Sequence, residues 1–147
     1  MPLTTFKATA RKKEGLAVDC NARSFKITLD EPENMGGTNT GMNPAEAILC
    51  GLGACQTILA ASFALKHGID LQDFWVELEG DLDTDGFMGV SDVRPGYSSI
   101  RYTMHIKSNT PEDKIRSFIE FIEKRCPMGD TLMHEVKLQK TNVIIEK

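Results

Sequence analysis

The sequence predicts an α+β fold, and three observations carry that reading. Strand-like and helix-like segments come in blocks instead of a strict β-α-β alternation. One long segment, Asn43 to about Lys66, has the start and stop signals of a helix and almost no charge. The strand candidates around it alternate apolar and polar residues, as strands with one covered face do.

The elements follow in order. Thr4 to Ala10 and Leu16 to Cys20 read as strands separated by a Lys12-Lys13-Glu14-Gly15 turn. Ser24 to Leu29 alternates strictly, with Phe25, Ile27 and Leu29 on one face and Ser24, Lys26 and Thr28 on the other. Glu31 to Met42 is polar and glycine-bearing, which predicts a mobile loop. The central helix then begins with Asn43 as cap, Pro44 at the first helical position and Glu46 closing a capping box, and it stops at His67-Gly68. Asp73 to Leu82 and Ser98 to Lys107 form a further strand pair, with Ile100, Tyr102, Met104 and Ile106 inward. A long turn-rich connection, Asp83 to Gly96, joins them. Thr110-Pro111-Glu112-Asp113 opens a second helix with the stripe Ile115, Phe118, Ile119 and Ile122, ending near Arg125 before Cys126-Pro127. A short helical turn and a last strand, about Glu135 to Ile145, finish the chain.

Composition bounds what such a fold can do. The 147 residues fit a single domain spanning 1–147, and 41% hydrophobic with 26% charged residues is ordinary for a soluble protein and excludes a disordered chain. Lys and Arg number 17 against 21 Asp and Glu, a net charge of −4 without a basic block, which argues against nucleic acid and anionic membranes as partners. Ala47 to Leu65 is nineteen residues without a charge, nominally enough to span a bilayer. Gln56, Thr57, Ser62, Gly51 and Gly53 moderate it, so the expectation is a helix buried in the centre of a soluble core. The opening Met-Pro-Leu-Thr-Thr-Phe-Lys has no secretory pattern, so a cytoplasmic address is expected. There Cys20, Cys50, Cys55 and Cys126 rest as thiols, and without Cys-x-x-Cys or a Cys/His cluster no metal site is expected.

Among chemical candidates, the Gly36 to Gly41 loop fails as a phosphate cradle, because Met42 and Asn43 stand where Lys and Ser/Thr are needed. Cys55 shares an apolar stripe with Ile48, Leu52 and Leu59, which suits either a packed thiol or a reactive one. Cys50, rotated by roughly 140°, reads as packing. Cys126 precedes a proline that starts a short helix and follows Lys124 and Arg125, features that favour a thiolate; ending one helix and starting the next is the competing explanation. His67, His105 and His134 read as exposed and unspecialised, and a Cys126–His134 pair has no third group to orient it. Asp81, Asp83 and Asp85 form a solvated turn without the calcium-loop pattern.

Taken together, Asn43-Pro44-x-Glu46-Ala-Ile-Leu-Cys-Gly-Leu-Gly-Ala-Cys55, the upstream Gly36-Gly37-Thr38 and the downstream Arg125-Cys126-Pro127 resemble the OsmC/Ohr (osmotically inducible protein C and organic hydroperoxide resistance) family over essentially the whole chain. The resemblance implies antiparallel sheets around a long buried central helix in an intertwined homodimer, with sites at the subunit interface. It implies an antioxidant stress-response peroxidase for organic or fatty-acid hydroperoxides. Cys55 would be oxidised to sulfenic acid and Cys126 would close a disulfide, which an external dithiol such as dihydrolipoamide reduces, without bound cofactor or metal. The family activates its first cysteine with an arginine held by a glutamate, which peroxidatic members place directly after the proline and other branches one residue later. Here Ala45 stands directly after Pro44 and Glu46 follows, and Arg11 lies nearest the arginine's place, with Lys12, Lys13 and Arg23 as alternatives. A binding protein for a small hydrophobic ligand, or a redox sensor, are the other functions this fold would serve.

Overall fold

The computed structural model describes residues 2–147, which form two compact units, one ending at Cys50 and the other beginning at Gly51. The first holds a three-stranded antiparallel sheet in the order β1 (Thr9–Lys12), β2 (Val18–Ala22) and β3 (Phe25–Leu29). β1 starts five residues later than the Thr4 of the sequence reading, so Arg11 and Lys12 belong to a strand, with Arg11 opposite Asp19. Gly15 at φ 59° closes the first hairpin; at the second, Arg23 takes φ 55° and lays its guanidinium 4.8 Å over the Phe25 ring. The alternation of β3 is as expected, but Phe25 and Ile27 are 61% and 58% exposed, so that face lacks a cover in the single chain.

The segment after β3 corrects the expectation of a mobile loop. It is organised around one buried carboxylate, Asp30. That group accepts hydrogen bonds from the Thr38 hydroxyl at 2.6 Å, the Thr40 hydroxyl at 2.7 Å and the amides of Glu31, Thr38 and Thr40 at 2.7, 3.3 and 3.1 Å. Two glycines let the chain close this tightly. A Cβ at Gly37 would lie 2.0 Å from the Glu31 carbonyl oxygen, and one at Gly41 2.1 Å from that of Thr28.

Helix α1 (Pro44–Phe63) leads into the second unit, which continues with β4 (Asp73–Leu82), α2 (Thr84–Met88), β5 (Tyr97–Lys107), α3 (Glu112–Arg125) and α4 (Pro127–Met133). α1 ends at Phe63, slightly before the predicted Lys66, and Gly68 at φ 68° completes the stop. β4 and β5 pair antiparallel, Phe74 opposite Ile106 and Leu78 opposite Tyr102. Their apolar face, the end of α1 and the stripe of α3 enclose the core: Ala60, Ala64, Ile69, Phe74, Phe118 and Ile122 are buried, with Val76, Met104 and Ile119 against them. The turn-rich connection contains the short α2, capped by the Asp83 carboxylate on the Asp85 amide at 2.9 Å. α3 begins directly after Pro111 without a side-chain cap; Thr110 instead accepts from the Asp70 amide through its hydroxyl at 2.9 Å.

Two expectations need correction. The last strand, Glu135 to Ile145, is not formed: these residues have no regular structure and expose Leu138, Val143, Ile144 and Ile145. Alternation makes a segment fit for a sheet, but no strand edge pairs with it among the described residues. α1 is buried only along Leu52, Gly53, Gln56 and Ala60, while Ile48 and Ile58 are 48% and 64% exposed. By length and composition alone α1 would also suit a membrane span.

The hydroxyls of Thr38 and Thr40 and the Glu31 amide hold the Asp30 carboxyl well below the ordinary aspartate range. A depressed native pKa contributes stability above the unfolded value and loses it as the pH falls. Asp30→Asn is therefore expected to melt at lower temperature than the parent at pH 7, with the gap narrowing below about pH 4. Thermal melts from pH 7 to 3 check this, and a gap that stays constant at pH 3 contradicts it.

Candidate active site

The N-terminus of α1 carries the capping box that the sequence implies. The Glu46 amide donates to Asn43 Oδ1 at 2.8 Å, and Glu46 Oε1 accepts from the Asn43 amide at 2.9 Å. Glu46 thus has a complete structural role on an exposed helix end. Arg11 is exposed on β1 and makes no ion pair among the described residues, whereas Lys13 pairs with Asp19 at 3.4 Å and Arg23 is drawn onto Phe25. Both Glu46 and Arg11 belong to the first unit.

The second unit brings the two singled-out cysteines together. Cys55 is half-buried on α1, and it lies near enough to Cys126 to push that thiol's pKa up. The seating of α1 produces this approach. At Gly53 a Cβ would lie 2.7 Å from Leu78 Cδ1 on β4, so a side chain there would have to displace the Leu78 methyl. One residue earlier, Leu52 Cδ1 lies 3.9 Å from where a side chain on Gly129 of α4 would begin.

Cys126 occupies the joint of α3 and α4 and is 1% exposed. Its amide donates to the Ile122 carbonyl at 3.0 Å and closes α3, while its sulfur accepts from the Gly129 amide at 3.3 Å and caps α4, with Pro127 at the first position. The cap is as the sequence predicts; its electrostatic consequence is not. Burial pushes the Cys126 thiol pKa up and the neighbouring Cys55 adds to this, while the Gly129 and Met128 amides pull down less strongly. The expected bias toward thiolate is outweighed by desolvation.

Two neighbours of Cys126 escaped the sequence reading in this role. Tyr102 of β5 donates its hydroxyl proton to Glu123 Oε2 of α3 at 2.5 Å. Its own pKa is pushed up to about 12 by burial, by Glu123 and by the nearby Cys126. Tyr102 was legible only as an inward strand residue, whereas it is 38% exposed, and Glu123 carried no signal of its own. Beside Cys55, Gln56 is 2% exposed and its Oε1 has no hydrogen-bond partner among the described residues.

Comparison with known proteins completes the description. The OsmC profile, described as OsmC-like protein, matches residues 37–140. This chain belongs to the OsmC-like family. A hydroperoxide reductase of Mycoplasma genitalium is 30% identical over 144 residues, covering 95% of this chain and 94% of its own. The crystal structure of an OsmC-like protein from Mycoplasma pneumoniae superposes with a TM-score of 0.78 at 30% identity over 88% of each chain. An organic hydroperoxide resistance protein OsmC from Legionella pneumophila shares the fold at a TM-score of 0.67 and 19% identity, over 90% of this chain and 91% of the other.

The remaining candidates of this OsmC-like chain have other roles. Cys50, expected to pack, is exposed, with its sulfur 3.7 Å from Met42 Sδ. The histidines are more engaged than expected: His67 packs 4.3 Å from the Phe121 ring, and His105 stacks 3.9 Å from Trp75 while bonding Glu77 at 2.6 Å. His134 turns to Asp130, its Nδ1 3.0 Å from the Asp130 carbonyl. Asp81 is bound by Arg101 at 2.8 Å, and no metal-binding cluster occurs among the described residues.

Substitutions at two positions test this geometry. Glu46→Gln keeps an acceptor in the capping box and is expected to preserve stability, whereas Glu46→Ala costs about 1 kcal/mol by denaturant unfolding. Gly53→Val forces a side chain against Leu78 and is expected to cost about 1–3 kcal/mol and to weaken Cys55–Cys126 disulfide formation, read by thermal melt and peptide mapping. A valine variant with unchanged stability and closure would show that α1 does not need this approach.

Proposed function

We propose that the protein is a cysteine-based hydroperoxide reductase acting on organic or fatty-acid hydroperoxides. The observation that carries the reading is the approach of the Cys55 and Cys126 thiols at the seat of α1. Membership of the OsmC-like family and 30% identity to a named hydroperoxide reductase support it. The Cys55 thiolate attacks the terminal peroxide oxygen; an S–O bond forms, the O–O bond breaks, and the alkoxide takes a proton to leave as alcohol. Cys126 then attacks the Cys55 sulfenic sulfur. An S–S bond forms, the S–O bond breaks, and hydroxide leaves with the Cys126 proton as water. An external dithiol of the dihydrolipoamide type returns both thiols by two exchanges and is itself oxidised to a disulfide.

Arg11 and Glu46 are proposed as the cation and carboxylate that activate Cys55. We place the chemistry in a homodimer in the reducing cytoplasm. The exposed apolar side chains of α1 and of the C-terminal segment are what a second copy would cover. A second reading, a binding protein for a small hydrophobic ligand, is favoured by one observation: the Glu46 carboxylate is engaged in the capping box.

The test is intact mass and peptide mapping after slightly more than one equivalent of an alkyl hydroperoxide is added to reduced protein. The expected result is loss of two hydrogens, a Cys55–Cys126 link and recovery with dihydrolipoamide. Cys55→Ser is expected to reduce hydroperoxide consumption to the uncatalysed rate. Cys126→Ser is expected to stop at sulfenic acid and then overoxidise. Intact thiols in folded protein at high peroxide would overturn the reading and leave ligand binding, unaffected by Cys55→Ser, as the alternative.

A further inference from the structure

The geometry points to Tyr102 and Glu123 as a latch that positions Cys126 for disulfide closure, through the hydrogen bond joining β5 to the last turn of α3. The inference rests on the thiol reading above and names residues that act on its second step alone.

The final turn of a helix is where it frays, because its last carbonyls lack intrahelical partners. Cys126 hangs from that turn of α3. On one side the turn is anchored by Ile122, fully buried, whose carbonyl accepts the Cys126 amide at 3.0 Å. The other side has no buried anchor, since Glu123, Lys124 and Arg125 are all exposed. Tyr102 supplies the missing restraint: it projects from a strand whose register is fixed by pairing along its length with β4, and its hydroxyl bonds Glu123 Oε2 at 2.5 Å. Glu123 precedes Cys126 by three residues in the last turn of α3, so the restraint acts on the turn that carries the thiol. A phenol donating to a carboxylate is among the stronger hydrogen bonds available to a half-exposed pair.

Disulfide closure needs the two Cα atoms within about 7 Å and a narrow dihedral range, so freedom in the last turn of α3 directly dilutes the closing geometry. Attack of Cys55 on a hydroperoxide makes no such demand. Loss of the latch therefore separates the two chemical steps, which a general loss of stability would not. Tyr102 and Glu123 are positioning residues; neither exchanges a proton with the reacting atoms.

The experiment compares Tyr102→Phe, Glu123→Ala and Glu123→Gln with the parent, in full-length protein whose folding is checked by circular dichroism. Two rates are read: alkylation of Cys126 by iodoacetamide in the reduced protein, and Cys55–Cys126 closure driven by diamide or by an alkyl hydroperoxide. Tyr102→Phe and Glu123→Ala are expected to slow closure about five- to tenfold and to speed Cys126 alkylation by a similar factor, the weight of one charge-assisted hydrogen bond. The rate of Cys55 oxidation should stay within about twofold, since the latch does not touch that thiol. Glu123→Gln keeps a neutral acceptor oxygen and is expected to fall between the parent and the alanine variant. Unchanged closure and alkylation in Tyr102→Phe, or equal impairment of the glutamine and alanine variants, would overturn the latch. Alkylation needs no peroxide, so it decides the latch even if the parent thiols ignore hydroperoxides, which would sink the functional reading alone.

Discussion

The close seating of α1 on β4 is the constraint from which the rest of the candidate site follows. The buried stripe of the helix is narrow, Leu52, Gly53, Gln56 and Ala60, and two of these four residues are the smallest available. Small residues let a helix approach a sheet more closely than leucine or valine would, and Gly53 faces the Leu78 side chain of β4. Cys55 lies within one turn of that point and Leu52 meets the start of α4, so one contact sets both the depth of the first thiol and the placement of the second. A bulkier residue at 53 would therefore act on chemistry that it does not touch.

The environment of Cys126 shows two physical effects in competition. A cap position at a helix N-terminus lowers a thiol pKa through the amides it faces, and burial raises it through lost hydration. Burial wins here, because the thiol is almost wholly covered while only a short helix of seven residues supplies the opposing dipole. That outcome suits a resolving thiol better than an attacking one. A protonated, covered thiol is slow to react with peroxide in its own right and so remains available to trap a sulfenic acid next to it. The half-buried Cys55, on the other side of the pair, is the thiol that an incoming molecule can reach.

What could be read from the sequence was what local chemistry decides. Asn43, Pro44 and Glu46 form the expected capping box because every partner lies within one turn, and Cys126-Pro127 forms the expected cap for the same reason. β5 was legible from Ile100, Tyr102, Met104 and Ile106, while its pairing with β4 was implied by the family resemblance. What escaped depends on partners distant along the chain. Asp30 organises its loop through hydroxyls eight and ten residues on, and Tyr102 finds Glu123 across twenty-one residues. No periodicity encodes such pairings. Arg11 was legible in the first strand region, whereas Lys12, read as the start of a turn, is the last residue of β1. Glu46 illustrates the opposite limit: its position was readable, yet the same carboxylate serves both a cap and a proposed activating role.

The unmet expectations share one physical form. Phe25 and Ile27 present an apolar strand face, Ile48 and Ile58 an apolar helix face, and Leu138 with Val143 to Ile145 an alternating segment, all exposed. Each pattern describes correctly what the residues are suited to pack against, and in each the single chain lacks the counterpart. A strand needs a neighbour's edge and an apolar helix face needs an apolar surface; neither can be inferred from the segment that lacks it. A monomer exposing apolar side chains on a strand, a helix and a tail together would carry an aggregation liability that soluble proteins avoid. The homodimer proposed above would cover those of these faces that lie at its twofold interface. The thiol pair itself needs no such completion, because Cys55, Cys126, Tyr102 and Glu123 all belong to the second unit of one chain. Arg11 and Glu46, the proposed activating pair, belong instead to the first unit.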